Sequence, residues 1–250
     1  MTGPVLTLTG VSHSYRGRDA LREVSVEIRR EVTALIGVNG AGKSTFMNVA
    51  AGGLSPTSGS VLVDGKSIYG RRTRRQALQA VALMPQTASF PGNMTVREVV
   101  EYLTWMRGAR AGDARTRAER ALETVELADR AGSKIRELSG GMLRRVGLAQ
   151  AVAMDPSILL LDEPSTGLDP EQRRIMVDRL RELDAAVVLS SHVMEDVSDL
   201  ADRVLVLDAG TIVFDGTLPD LCDRAPDPSA PRAAEAGFLA VLATRSGVAR

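Results

Sequence analysis

The segment that decides the fold is Gly37-Val-Asn-Gly-Ala-Gly-Lys-Ser-Thr45. It fits the pattern G-x-x-x-x-G-K-[S/T], in which glycines allow a tight turn and successive backbone N–H groups point toward one phosphate chain. The apolar segment Val32–Ile36 precedes it, and Ser44–Ala51 is predicted to be the helix that follows. The positive end of such a helix attracts anions. The segment therefore predicts a nucleotide-phosphate site between a strand and a helix.

Individual positions of this loop have distinct expected roles. Lys43 is expected to contact the β- and γ-phosphates, and the Ser44 hydroxyl is expected to bind Mg²⁺. The other loop positions expected to bind the nucleotide are Gly37, Asn39, Gly40, Ala41, Gly42 and Thr45.

Outward from the loop, strand-like segments alternate with helix-like ones, which is typical of an α/β fold with a mostly parallel sheet. Strand candidates before the loop and a turn at Asp64-Gly65 predict an antiparallel β portion near the N-terminus. The predicted strands are Val5–Thr9, Val24–Ile28, Val32–Ile36, Ala80–Met84, Ile158–Leu161, Ala186–Leu189 and Val204–Leu207. The predicted later helices are Thr95–Arg107, Ala114–Ala128, Gly141–Ala153, Glu171–Leu183, Val193–Leu200 and Ala233–Leu242.

Two carboxylates follow one of these strands. Ile158–Leu161 is apolar throughout, as in a central strand that is covered on both faces. Because ligands of open parallel sheets bind beyond the carboxyl ends of the strands, we expect Asp162 to meet Mg²⁺ near Ser44. Glu163 is one residue further along and is suited to polarise an attacking water. Without the phosphate loop, the same pair would equally fit a strand that ends in solvated acids.

A second anion-binding helix end is predicted at Leu138-Ser-Gly-Gly-Met142. Ser139 is an N-cap candidate for the helix that follows, and this structural role alone would explain it. A helix N-terminus with a hydroxyl and two glycines also binds anions. The chain would then carry two phosphate-binding helix ends that lie far apart in sequence.

The order of these motifs resembles that of the ATP-binding subunit of ATP-binding-cassette (ABC) transporters, over about Val5 to Gly216. The resemblance implies a P-loop NTPase fold of the ABC type with a helical subdomain insert. It implies an ATPase domain over residues 1–224, with the helical subdomain at about 87–154. Residues 225–250 would then form a linker, rich in proline, and a short C-terminal tail.

The resemblance also implies roles for single residues. Tyr15 matches the aromatic residue that stacks on adenine, Gln86 the glutamine that senses Mg²⁺ and the attacking water, and His192 the histidine that contacts the γ-phosphate. Ser139–Met142 matches the signature loop, which contacts ATP held by the partner subunit, although Met142 stands where the family most often has Gln. Ser165–Asp169 matches the loop that communicates across the dimer.

These assignments give a complete expected site for ATP and Mg²⁺. The expected catalytic residues are Glu163, His192 and Gln86. The expected metal ligands are Ser44, Gln86 and Asp162. The signature residues expected to bind ATP are Ser139, Gly140 and Gly141. Because the two phosphate clamps would serve different ATP molecules, we expect a head-to-tail dimer with a second ATP-binding subunit, either identical or related.

Composition narrows the range of partners. Lys and Arg total 31, as do Asp and Glu, so nucleic acid is not an expected partner. The single cysteine fits a reducing compartment, and no apolar run approaches the roughly 18 residues that span a bilayer. We therefore expect a cytoplasmic ATPase held at the membrane by an integral membrane permease, with a resemblance closer to exporters than to importers. The alternative is a soluble ABC ATPase, such as an iron–sulfur assembly or regulatory cassette.

Overall fold

The computed structural model describes residues 5–192 and 194–246. The strands in these residues are β1 (Leu6–Tyr15), β2 (Arg18–Ile28), β3 (Val32–Ile36), β4 (Ser58–Val63), β5 (Lys66–Ser67), β6 (Val81–Met84), β7 (Ile158–Asp162), β8 (Ala186–Ser191), β9 (Arg203–Asp208) and β10 (Thr211–Gly216). The α-helices are α1 (Lys43–Ala50), α2 (Arg74–Gln79), α3 (Val96–Met106), α4 (Ala111–Thr124), α5 (Gly140–Val152), α6 (Pro170–Glu182), α7 (Met194–Leu200), α8 (Leu218–Cys222) and α9 (Ala233–Ser246). None of the helices in the described ranges has the length and apolar character needed to cross a membrane.

The larger sheet is mostly parallel, as predicted. Its strand order is β10-β9-β3-β8-β7-β6, and within it only the β10–β9 pair is antiparallel. All residues of β3, β7 and β8 are buried, because helices or the second sheet cover both faces. Alternate residues of β7 enter two separate hydrophobic clusters: Leu159 and Leu161 face one, and Ile158 and Leu160 the other. The sheet is therefore the middle layer of the molecule.

The smaller sheet confirms the antiparallel portion near the N-terminus. Its order is β2-β1-β4-β5, and all its pairs are antiparallel. The first strand is longer than the predicted Val5–Thr9 and continues to Tyr15. It does so through register irregularities after Leu8, and Gly10 there has φ +57°. A glycine can adopt this backbone conformation without strain, so the strand bends and continues.

The segment between β6 and β7 is mainly helical, which confirms the predicted insert. Helix α3 begins at a complete capping box, in which Thr95 accepts from the Glu98 N–H and the Glu98 carboxylate accepts from the Thr95 N–H. Helix α4 ends at Thr124, four residues before the predicted end at Ala128. The backbone at Glu126 has φ +55°, which is incompatible with a right-handed helix and explains the early end.

Three elements were absent from the sequence prediction. Helix α2 buries only Ala77, so its sequence carries almost no apolar periodicity. Strand β10 pairs with β9 through the turn at Ala209 and Gly210, which both have positive φ. Helix α8 spans only Leu218–Cys222, below the length at which periodicity is readable.

The tail beyond residue 224 folds back onto the core. Helix α9 includes the predicted Ala233–Leu242 and extends to Ser246. Its side chains Phe238, Val241 and Leu242 pack against the hydrophobic cluster that contains Leu159 and Leu161. A Cβ added at Gly237 would lie 1.9 Å from the Leu221 carbonyl oxygen, so α9 sits directly on α8. The division of the chain at residue 224 stays a prediction.

Candidate functional site

The phosphate loop has the geometry that its glycines predict. It connects β3 to α1, and Gly42, the residue before α1, has φ +110°. A Cβ at Gly42 would lie 2.4 Å from the Ala20 carbonyl oxygen, and one at Gly37 would lie 2.3 Å from the Leu207 carbonyl oxygen. No larger residue fits at either position without moving backbone. The α1 N-terminus has no side-chain cap, so its N–H groups remain available to a ligand.

Lys43 turns back over its own loop. Its Nζ donates to the carbonyl oxygens of Gly37 (2.6 Å) and Val38 (3.3 Å). Burial lowers the pKa of Lys43 below its ordinary value, while the negative charges of Glu163 and Asp162 oppose this change. The ammonium group is thus buried against carbonyl oxygens, where a phosphate oxygen would be a stronger partner.

Four neighbouring parallel strands bring the predicted residues to one edge of the sheet. In the order β3-β8-β7-β6, the phosphate loop follows β3 and His192 follows β8. Asp162 and Glu163 lie at the end of β7, and Gln86 lies shortly after β6. Because all four carboxyl ends point the same way, residues far apart in sequence meet at the crevice where such sheets bind ligands.

Asp162 and Glu163 are both fixed by Ser190 of the adjacent strand. The Ser190 hydroxyl donates to Asp162 Oδ1 (2.5 Å), and the same Oγ accepts from the Glu163 N–H (2.9 Å). Asp162 is buried, and Glu163 has φ +50°, a conformation that side-chain-bearing residues rarely adopt. The strained turn directs the Glu163 side chain out of the strand while Asp162 stays within it.

The Glu163 carboxylate is the centre of the cluster. Gln86 Nε2 donates to its Oε2 (2.9 Å), and Thr166 Oγ1 lies 3.2 Å from the same oxygen. His192 Nδ1 lies 3.2 Å from its Oε1. The side chain of Glu163 is only 12% exposed, whereas that of His192 is 52% exposed. The structure therefore brings together the predicted catalytic residues Gln86, Glu163 and His192 and adds Thr166 to them.

An open cleft of about 600 Å³ lies in front of the phosphate loop. Tyr15 lies at this cleft, half exposed, with its ring packed edge-on against His13 at 4.6 Å between ring centres. The predicted site residues that line the cleft are Tyr15, Asn39, Gly40, Gly42, Lys43, Ser44, Thr45, Gln86 and Glu163. A second cavity of about 430 Å³ adjoins it and is lined by Gly37, Asn39, Gln86, Glu163, His192 and, from α9, Phe238. Ala41 is buried behind the loop, where its carbonyl accepts from the Gly210 N–H.

Ser139 and its glycines do not line either cavity. Ser139 caps α5, as predicted, and its Oγ accepts from the Met142 N–H at 3.3 Å. Ser139 and Gly140 are exposed, whereas Gly141 is buried, and a Cβ there would lie 2.4 Å from the Gln172 amide oxygen, so this side chain would have to move. The two phosphate-type helix ends of one chain therefore do not share one cavity.

The loop Ser165–Asp169 is tied to the interior. The hydroxyl groups of Ser165 and Ser191 both donate to Asp196 Oδ2, the latter at 2.9 Å, and Asp196 is 1% exposed. Arg173 Nε pairs with the other oxygen of Asp196 at 2.5 Å. Asp169 caps α6 by accepting from the Gln172 N–H.

Arg144 is a site residue that sequence reasoning missed. It lies on α5, and its Nη2 donates to the Glu163 carbonyl oxygen (2.6 Å) while its Nη1 donates to the Gln86 carbonyl oxygen. Burial lowers the pKa of Arg144, and the carboxylates of Glu163 and Asp162 oppose this change. The available signal was an Arg-Arg pair in a helix whose only other polar side chain is Gln150.

The donor set fits Mg²⁺. The described residues contain no cluster of three or more His, Cys, Asp or Glu that would hold a metal by itself. Ser44, Gln86 and Asp162 instead offer hydroxyl, amide and carboxylate oxygens, and Mg²⁺ binds such hard donors together with substrate phosphates.

The fold and this site define an α/β P-loop NTPase. Comparisons with known proteins identify its family: a family model described as ABC transporter matches residues 21–166. The linearmycin resistance ATP-binding protein LnrL of Bacillus subtilis is 34% identical over 88% of this chain and 71% of that protein. The Nod factor export ATP-binding protein I of Burkholderia orbicola is 37% identical over 81% of this chain and 70% of that protein.

Solved structures agree with the family. The structure of an ATP-binding subunit of an ABC transporter aligns with a TM-score of 0.83 and 25% identity over 95% of this chain and 99% of that one. A dimeric ATP-binding cassette in a post-hydrolysis state, bound to ADP and Pi, aligns with a TM-score of 0.77 and 27% identity over 85% of this chain and 98% of that one. The chain belongs to the ABC transporter family and is an ATP-binding and hydrolysing subunit.

Proposed function

We propose that this chain hydrolyses ATP in the interface of two cassettes and thereby drives a membrane-spanning partner that exports its cargo. One observation carries the proposal. The phosphate loop opens into a cleft lined by residues of its own chain, whereas Ser139, at the other phosphate-type helix end, is exposed and lies outside that cleft. A second cassette facing the first would bring its Ser139–Met142 loop to the γ-phosphate of ATP bound at Lys43.

Each part of the nucleotide has a partner in the proposed site. Tyr15 stacks on the adenine ring, and the loop residues Gly37 and Asn39–Thr45 hold the phosphates. Lys43 gives up its contacts with the loop carbonyls and binds the β- and γ-phosphates, because a charged acceptor is the stronger partner. Ser44, Asp162 and Gln86 would hold Mg²⁺, which neutralises negative charge on the phosphates.

The proposed hydrolysis is an in-line attack of water on the γ-phosphorus. Glu163 accepts a proton from the water as the new oxygen–phosphorus bond forms, and the bond to the β-phosphate oxygen breaks as ADP leaves. Gln86 and Thr166 contact one carboxylate oxygen of Glu163, and this supports an orienting role for them. His192, at the other oxygen, is half exposed toward the crevice and is suited to hold the γ-phosphate.

The energy of γ-phosphate binding is sufficient to close such a dimer. Shifting an open–closed equilibrium from 1:99 to 99:1 takes about 5.5 kcal/mol. Two charge-assisted hydrogen bonds at each of two sites, at roughly 1.5 kcal/mol each, supply about 6 kcal/mol. Ser139 and the glycines can supply these bonds with Met142 at the end of the loop, since the hydroxyl and the backbone N–H groups are retained. ADP lacks the phosphate that reaches the partner, so hydrolysis reopens the dimer.

The decisive experiment is the substitution Glu163→Gln. We expect ATP turnover to fall by about 100-fold or more, because the proton acceptor is lost. Nucleotide binding should persist, and light scattering should detect a stable dimer with Mg²⁺ and ATP but not with ADP. The matched control is Glu171→Gln, an exposed acid in the first turn of α6. A Glu163→Gln protein that stays monomeric with ATP at all concentrations would contradict the proposal.

A surface on the helical insert supports a membrane-protein partner. In α3, Val96, Val99 and Val100 are buried in the core, whereas the rings of Tyr102 and Trp105 are about half exposed. The two rings lie 6.0 Å apart and border an open cavity of about 540 Å³. Exposed aromatic residues beside a groove are typical of protein–protein interfaces. We propose this surface as the contact with the permease, which would hold the chain at the cytoplasmic face.

The names of relatives support export: one is a linearmycin resistance protein and another a Nod factor export protein. Affinity purification from the native organism tests this step. We expect the wild-type chain to co-purify with a membrane-spanning protein and Trp105→Ser to lose it while ATP turnover is retained. A chain that dimerises on ATP yet co-purifies with no membrane protein would instead support the soluble ABC ATPase.

A further inference from the structure

Arg144 connects two parts of the molecule that would serve different ATP molecules. It lies in the second turn of α5, the helix that begins at the exposed Ser139 end. Its guanidinium group donates to the main-chain carbonyls of both Glu163 (2.6 Å) and Gln86. The N-terminus of α5 would face the partner's ATP, whereas Glu163 would act on the ATP of its own chain.

The contacts of Arg144 use the shape of its side chain as well as its charge. A guanidinium group presents several N–H donors in a rigid plane and can bridge two carbonyls that belong to different loops. A lysine ammonium group carries the same charge but has no such planar fork. The nearby carboxylates Glu163 and Asp162 also favour a cation here, and this offsets part of the cost of its burial.

The backbone of Glu163 needs support on both sides. It has φ +50°, and such a conformation persists only where the surrounding structure holds it. Ser190 Oγ accepts from the Glu163 N–H at 2.9 Å, on the sheet side. Arg144 binds the carbonyl of the same residue, on the side of the helical insert. The direction of the Glu163 carboxylate therefore depends on where α5 sits relative to β7.

We propose that Arg144 is a positioning residue for ATP hydrolysis, which holds Glu163 and Gln86 in their hydrolytic arrangement only when α5 is seated against the sheet. The inference rests on the proposed function. It adds a route between the two nucleotide sites: capture of the partner's γ-phosphate at Ser139 seats α5, and Arg144 transmits that position to Glu163 of the same chain. Neither step requires Arg144 to touch a nucleotide.

The chain offers a closely matched control in Arg107, which follows α3 and contacts the C-terminal end of α5. Arg107 also donates to several carbonyls: Nη2 to Val81 (2.9 Å) and Nη1 to Ala151 (3.2 Å) and Gln150 (3.4 Å). It ties α3 and the last turns of α5 to the first residue of β6, and burial lowers its pKa as it does for Arg144. Arg107 therefore links insert and sheet by the same chemistry without contacting Glu163 or Gln86.

The experiment compares steady-state ATP turnover and nucleotide affinity of the full chain for Arg144→Gln, Arg144→Lys and Arg107→Gln, with melting temperatures of each. We expect Arg144→Gln to lower kcat by about tenfold or more while the Kd for ATP changes by less than about twofold. Arg144→Lys should recover only part of the loss, because charge alone does not bridge both carbonyls. Arg107→Gln should lower the melting temperature but leave kcat within about twofold of wild type.

Two results would overturn the inference. One is a kcat for Arg144→Gln that equals that of Arg107→Gln, and the other is full recovery by Arg144→Lys, which would reduce the role to charge. If Arg144→Gln does not fold, the comparison of Arg144→Lys with Arg107→Gln decides. A different result would contradict the proposed function, namely a Glu163→Gln protein that does not dimerise with ATP. A Glu163→Gln dimer together with an Arg144→Gln protein of normal kcat would remove this inference alone.

Discussion

The N-termini of α1 and α5 resemble each other in sequence but differ in what surrounds them. Glycines lie immediately before α1 and in the first turn of α5, and both helices lack an acidic residue in the first turn. Most other helices have one, among them α3 with Glu98 and α6 with Glu171. An acid in the first turn stabilises a free helix end but would repel a phosphate. Both ends thus forgo this stabilisation, as anion-binding helix ends do.

The difference lies in the caps. Helix α1 has Gly42 as its cap residue, with no side-chain bond to its N–H groups, and it opens into a cleft lined by its own chain. Helix α5 is capped by Ser139, whose exposed hydroxyl accepts from the Met142 N–H and retains an O–H to donate. In the proposed function, the first end receives a ligand within one chain, and the second completes a site on another molecule.

The largest expected effect follows removal of Lys43, which belongs to the end that works within one chain. Lys43→Ala removes the ammonium group that would bind two phosphates, so ATP affinity should fall by about 100-fold. Titration calorimetry with purified protein measures this directly. Lys66→Ala, which removes the same charge from β5, is the control and should bind ATP normally. Equal affinities for wild type and Lys43→Ala would refute the assignment of the loop.

A smaller effect is expected at the other end. Ser139→Ala removes both the α5 cap and the hydroxyl offered to the partner, so it should lower kcat by about tenfold and cost about 1 kcal/mol of stability. ATP affinity of the monomer should stay unchanged. Thr95→Ala removes a comparable cap from α3, where no nucleotide is expected. It should cost similar stability at unchanged kcat, and a parallel fall in kcat for both variants would reduce Ser139 to a structural cap.

The division between what the sequence predicts and what it does not is visible in these same regions. The glycine spacing predicts the phosphate loop, because each glycine is required by the local backbone conformation or by close packing. The strand-end argument predicts the place of Asp162 and Glu163, whereas Gln86 and His192 were assigned from the family resemblance; these side chains meet because parallel strands share one carboxyl edge. Strand β3 has the predicted bounds for the related reason that a fully buried strand is a continuous apolar run.

The contacts of long side chains and of the C-terminal tail could not be predicted from the sequence. Arg144 reaches two carbonyls that lie 58 and 19 residues away in sequence, and no local pattern encodes such a contact. Phe238 lines the cavity beside His192 only because Gly237 lets α9 settle on α8. Both depend on how the insert and the tail pack on the sheet, which is decided by tertiary contacts rather than by periodicity.

The smallest expected effect is a pH dependence that separates the two helix ends. Burial lowers the pKa of Lys43 below its ordinary 10.5, so the ammonium group is lost at a lower pH than in an exposed lysine. As pH rises through this lowered pKa, ATP affinity should fall by a few-fold per pH unit. The upper limit for the loss of one proton is about tenfold per pH unit. Lys43→Met should bind weakly at every pH without this slope.

The free energy of unfolding of the nucleotide-free protein should change with pH in the opposite direction to the ATP affinity. Between the lowered pKa of Lys43 and 10.5, the unfolded chain binds more protons than the folded one. The Lys43 contribution to the free energy of unfolding therefore rises with pH in that window, while the affinity for ATP declines. Denaturant titrations of wild type and Lys43→Met would isolate this contribution. The Ser139 hydroxyl has no proton to lose in this range, so the N-terminus of α5 should add no pH dependence of its own. A Ser139→Ala protein should therefore keep the full pH dependence of ATP binding.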